Sequence, residues 1–92
     1  MPWKTKTINW SFDLEDGKHT IILKHSFDST RVITLDNKVM IDKTPVNNLG
    51  FEYEFDCKGH SCVVKYIVHF FSFAPDSYEC WVDGKLVEAQ ND

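Results

Sequence analysis

The sequence predicts an all-β chain, an antiparallel β-sandwich of about eight short strands joined by tight hairpins, and three observations lead there. Apolar and polar residues alternate with period two in most windows, as half-buried strands require. Asp-Gly and Asp-Asn pairs recur between these windows and suit two-residue turns whose central residues take positive φ. No window shows the period of an amphipathic helix. A chain of 92 residues is too short to divide into two cores, so residues 1–92 are read as one domain.

Along the chain, Ile8, Trp10, Phe12 and Leu14 form one face of the first strand, and Asn9, Ser11, Asp13 and Glu15 the other. A turn at Asp16-Gly17 would set Leu14 opposite His19, Phe12 opposite Ile21, Trp10 opposite Leu23 and Ile8 opposite His25. A second hairpin turns at Asp36-Asn37, with Arg31 expected opposite Asp42, Ile33 opposite Met40 and Leu35 opposite Lys38. Pro45, Asn47, Asn48 and Gly50 mark a loop. The next strand alternates Phe51, Tyr53, Phe55 and Cys57 with Glu52, Glu54 and Asp56, and a turn at Lys58-Gly59 sets Cys57 opposite His60 and Phe55 opposite Cys62. The strand "SCVVKYIVHFF" follows, then the interruption "FSFAPDS", and then a last hairpin at Asp83-Gly84 that pairs Trp81 with Leu86 and Cys80 with Val87.

Composition narrows the function classes. Net charge is −4 and the lysines are scattered, so no basic stripe exists to neutralise a phosphate backbone or an anionic membrane surface. The longest apolar runs are strand-length, short of a membrane span. The N-terminus reads as unprocessed. Three cysteines, an odd number, argue against a closed disulfide framework and place the chain in a reducing, cytoplasmic compartment.

Cys57, His60 and Cys62 have ligand types that suit a tetrahedral zinc ion, with a fourth ligand to be drawn from Cys80, His19 or His25. The competing reading is a turn followed by core. In the hairpin register the two cysteines are diagonal neighbours roughly 7 Å apart, at the limit for an unstrained disulfide, and free cysteine behaves as a small buried hydrophobe. No metal and no cofactor is therefore expected. Glu52, Glu54 and Asp56 read as a solvated face that discourages edge pairing. His19 and His25 read as polar caps on an apolar stripe, since no serine elbow or glycine-rich phosphate cradle accompanies them, and no catalytic residue is expected. Phe70, Phe71 and Phe73, gathered before Ala74-Pro75-Asp76, are either a cover for the end of the core or an exposed partner site.

Taken in order, Trp10 ahead of "LEDGKHTIILKH", then "RVITLDNKV", "KGHSCVVK" and "WVDGKLVE" resemble the Fas apoptotic inhibitory molecule (FAIM) family over roughly residues 8 to 88. Asn37 stands where that family often has glycine, and the segment "HFFSFAPDS" is added. The resemblance implies an antiparallel β-sandwich without catalytic residues, linked to cell survival, death-receptor signalling and protection against aggregation. It also implies a protein partner; the chain itself is expected to be a monomer or weak homodimer, since the acidic row of Glu52, Glu54 and Asp56 keeps its face monomeric by repulsion. The alternative is a small-ligand- or metal-binding β-barrel, with a pocket lined by Trp10, Tyr53, Tyr66 and Trp81.

Overall fold

A computed structural model describes residues 5–26, 28–45, 50–69 and 76–90. The strands are β1 (Thr5–Leu14), β2 (Gly17–Ser26), β3 (Arg31–Leu35), β4 (Lys38–Lys43), β5 (Phe51–Cys57), β6 (His60–Ile67), β7 (Ser77–Val82), β8 (Lys85–Val87) and β9 (Ala89–Gln90). They form two antiparallel sheets, ordered β4-β3-β2-β1-β9 and β5-β6-β7-β8. The class is the all-β, two-sheet one that the alternation predicts. Among the described residues each sheet is open, with two edge strands. The sheets define two compact units, the first holding β1 to β4 and β9, the second β5 to β8.

Each sheet buries alternate residues, because successive side chains of a strand point to opposite faces. In the first unit Trp10, Ile21, Leu23 and Ile33 are almost wholly buried, and in the second Cys57, Cys62, Val64 and Cys80 are. Val63, Lys65 and Trp81 take the opposite, outer face of the second sheet, together with Glu52 and Glu54.

Three turns sit where the sequence places them. Asp36 and Asn37, Lys58 and Gly59, and Asp83 and Gly84 all have positive φ at both central positions, and Cys57 pairs with His60, Phe55 with Cys62, Trp81 with Leu86 and Cys80 with Val87.

The first hairpin departs from expectation by two residues: Leu14 pairs with Gly17, Phe12 with His19, Trp10 with Ile21 and Ile8 with Leu23. The turn is Glu15-Asp16, with no positive φ at either residue, and Gly17 (φ 125) opens β2. Asp16 instead turns its carboxylate onto His19. A slip of two leaves every side chain on its expected face, so the buried set survives.

In the second hairpin Leu35 pairs with Lys38 as expected. A bulge then leaves Met40 as the extra residue and sets Ile33 opposite Ile41 and Arg31 opposite Lys43, rather than Met40 and Asp42. Nine strands are described rather than about eight, since Ala89 and Gln90 add to the edge of β1.

Candidate functional site

Four side chains at the hairpin ends form the same arrangement twice. In the first unit the Asp36 amide donates to the Thr20 carbonyl at 2.9 Å. The Thr20 amide donates back to Asp36 Oδ1 at 2.9 Å, and His19 Nδ1 donates to Asp36 Oδ2 at 2.6 Å. In the second unit the Asp83 amide donates to the Ser61 carbonyl at 2.8 Å. The Ser61 amide donates to Asp83 Oδ1 at 3.0 Å, and His60 Nδ1 donates to Asp83 Oδ2 at 2.5 Å.

The two sheets thus share a plan: a hairpin whose second strand carries His-Thr or His-Ser, then a hairpin whose turn aspartate reaches back to that pair. His19 corresponds to His60, Thr20 to Ser61, Ile21 to Cys62, Leu23 to Val64 and Lys24 to Lys65, and around the second turn Asp36 corresponds to Asp83, Lys38 to Lys85 and Val39 to Leu86.

The copies differ at the histidine. His19 is buried and its Nε2 also donates to Asp16 Oδ1 at 2.6 Å, so both ring nitrogens face carboxylates. Ionised carboxylates only accept, so this geometry holds the ring as an imidazolium. Its pKa is raised above the usual 6.5, by Asp16 first and Asp36 second. Burial works against ionisation of Asp36, but His19 and the Thr20 amide outweigh it and the carboxyl sits below its ordinary value. At Asp83 the His60 bond, then the Ser61 amide, lowers the pKa likewise.

The His19 ring lies 6.0 Å from that of Phe12 in a stacked pair. His25 is also buried, as is Arg31, whose Nε donates to the Ser29 carbonyl at 3.2 Å. Nothing in the sequence pattern separated Asp36 and Asp83 from ordinary turn residues.

Cys57, Cys62 and Cys80 are free and buried. The Cys62 thiol is pushed up to about 12, by burial first and then by neighbouring Cys57, and Cys80 to about 12 by burial and Cys62. His60 Nδ1 is engaged by Asp83. Among the described residues no three His, Cys, Asp or Glu side chains converge as a metal set. Phe70, Phe71 and Phe73 lie outside the described residues.

The pocket expected from Trp10, Tyr53, Tyr66 and Trp81 does not assemble as such. Trp81 pairs with Val63, out of phase with Val64 and Tyr66, and so lies on the opposite face of its sheet from Tyr53 and Tyr66. The inner aromatics form their own row instead: Phe51 lies 5.4 Å from Tyr66, and Tyr66 stacks on Tyr78 at 4.8 Å. Tyr66 Oη donates to Asp76 at 2.6 Å.

On the outer face, Trp81 lines an open cleft of about 320 Å³ with Glu52, Val63, Lys65 and Gly84. Trp81 Nε1 donates to Glu79 at 3.0 Å, and Lys65 Nζ lies 5.4 Å from the indole centroid and 3.9 Å from Glu52. The corresponding cleft in the first unit, about 180 Å³, is lined by Ile22, Lys24, Val32, Thr34 and Asn37.

Fold and site together define an all-β protein of two open antiparallel sheets, each clasped by a histidine-aspartate pair at a hairpin turn. The chain belongs to the Fas apoptotic inhibitory molecule (FAIM1) family, whose model matches residues 6–92, slightly more than the span on which the resemblance rests. No curated protein matches the chain. Among the described residues no helix is long and apolar enough to cross a membrane.

Proposed function

We propose that this chain works without catalysis, as a protein-binding module that supports cell survival or restrains aggregation of a client protein. Family membership across residues 6–92 supports the cell-survival part. The observation that carries the binding part is the outer face of the second sheet, where Leu86 is 54% exposed beside the half-buried Trp81 and Val63. Large apolar side chains left on a sheet surface are the usual anchors of protein contacts.

The chemistry of the polar groups points the same way. His19 and His60 are engaged by hairpin carboxylates, and the Cys62 and Cys80 thiols are held protonated at ordinary pH. Three free, buried thiols suit a reducing cytoplasm, and the acidic row on β5 favours a monomer or weak homodimer by repulsion between copies.

The test is light scattering from a thermally unfolding model client in the presence of the purified chain. Delayed scattering at substoichiometric chain is expected. Unchanged scattering, with a retained small-molecule or metal mass in native mass spectrometry, would favour the ligand-binding alternative.

A further inference from the structure

We propose that the outer face of the second sheet docks an extended, lysine- or arginine-bearing segment of a partner protein, with an apolar side chain of that segment seated in the cleft against Trp81, beside the exposed Leu86. This deepens the binding-module reading and rests on it.

Three observations carry the proposal. The first is apolar area: Trp81 and Leu86 are a cross-strand pair, Val63 neighbours Trp81 on β6, and the cleft that Trp81 and Val63 line is open to solvent. The second is charge. The span from Leu49 to Glu88 carries seven acids against three lysines, whereas the remainder of the chain is balanced at seven of each, so the whole net charge of −4 lies in the second unit. Glu52 and Glu54 stand on the outer face beside the cleft and are exposed, with Asp56 next in the same row and Glu79 on β7. The third is the indole. Glu79 anchors its N–H and the ring already accepts a cation, Lys65, which also reaches Glu52. Lys65 is thus a resident occupant of a cation position that an incoming lysine or arginine can share or take over, since the ring face and the glutamate both favour positive charge.

The corresponding face of the first unit has Thr34 where the second has Trp81, and Val32 where the second has Glu79, on the same strand framework. Val39, in the position of Leu86, is just as exposed at 56%, but it pairs with Thr34 rather than with an aromatic side chain. A second copy of the chain is disfavoured as occupant, because it would bring one acidic face onto another, and nucleic acid or an anionic membrane is repelled outright.

The experiment uses the full chain, isotope-labelled, titrated by two-dimensional NMR with a short end-blocked peptide alternating leucine and lysine, and separately with one alternating leucine and glutamate. The lysine peptide is expected to shift the Trp81 indole N–H and the Val63 and Leu86 amides, more weakly as salt rises. Leu86→Ser and Glu52→Lys, each checked for an unchanged fold by its spectrum, are expected to weaken binding on the order of tenfold, while Val39→Ser leaves it unchanged. Shifts centred elsewhere, equal binding of the glutamate peptide, or full affinity in Leu86→Ser overturns the proposal. So does a concentration-dependent dimer that shifts the same resonances without peptide. If the peptide fails to dock here yet client scattering is still delayed, equally by Leu86→Ser, the binding-module reading stands and this surface falls. If scattering is also unaffected, both fall.

Discussion

His19 donates to Asp36 from Nδ1 at 2.6 Å, across 17 residues of sequence, and the same carboxylate accepts the Thr20 amide, so the turn of the β3-β4 hairpin is tied to the neighbouring strand β2. With Asp16 on its other nitrogen, the buried imidazole lies between two carboxylates. Charge state and hairpin geometry are therefore linked.

That linkage sets a pH window. The folded pKa of His19 is raised above 6.5, so above that value the folded chain holds a proton that the unfolded chain releases, and stability falls as pH rises through the folded pKa. Asp36 and Asp83 are lowered below 3.8, so their contribution is present above that value and is lost as pH falls through their folded pKa values. The urea midpoint should form a plateau between these limits. In His19→Gln the decline above pH 6.5 should flatten, and parallel curves for the two proteins would remove His19 from the account.

The clasp should also be visible amide by amide. Asp36→Ala removes the acceptor of the Thr20 N–H, and Asp83→Ala that of the Ser61 N–H. Hydrogen exchange at each of those amides should accelerate on the order of tenfold in its own variant and not in the other, because a lost hydrogen bond of about 1 kcal/mol opens that site locally. Acceleration of both amides in either variant would show that the two clasps do not act independently.

Gly50 and Gly59 test the turn chemistry. Both have positive φ, but a Cβ at Gly50 would lie 3.0 Å from the Tyr66 carbonyl oxygen, whereas one at Gly59 would meet nothing within 4 Å. Gly59→Ala should cost about 1 kcal/mol, the strain of a left-handed alanine, and Gly50→Ala distinctly more. Urea midpoints rank them, and equal midpoints would mean that the backbone near Tyr66 yields to the methyl group.

Thiol chemistry should report unfolding rather than reactivity. With Cys62 and Cys80 pushed up to about 12, their thiolate fraction near neutrality is very small, and burial denies reagent access. A disulfide reagent should modify these two cysteines slowly in the native protein and fully in urea. Fast native modification of either would place that thiol at the surface.

Strand positions and three of the four turns were legible in the sequence because they depend on local properties: the period-two alternation of Phe51 to Cys57, and residues that tolerate positive φ at Asp36-Asn37, Lys58-Gly59 and Asp83-Gly84. The buried face of the first hairpin was legible as well, since a slip of two residues conserves sides. The register itself was not, because it depends on where the Asp16 carboxylate goes, and that is settled by His19. The bulge after Ile33 escaped for a related reason, as the turn at Asp36-Asn37 fits equally well with or without it. The segments that carry the duplicated plan, "GKHTIILK" with "KGHSCVVK" and "LDNKV" with "VDGKL", are short and differ at buried and exposed positions alike, so their likeness becomes plain only through shared hydrogen bonds. The clasps and the Trp81 cleft belong wholly to the tertiary structure. Asp83 stands 23 residues from His60, and only the placement of β7 beside β6 brings them together, and Trp81 with Val63 and Lys65.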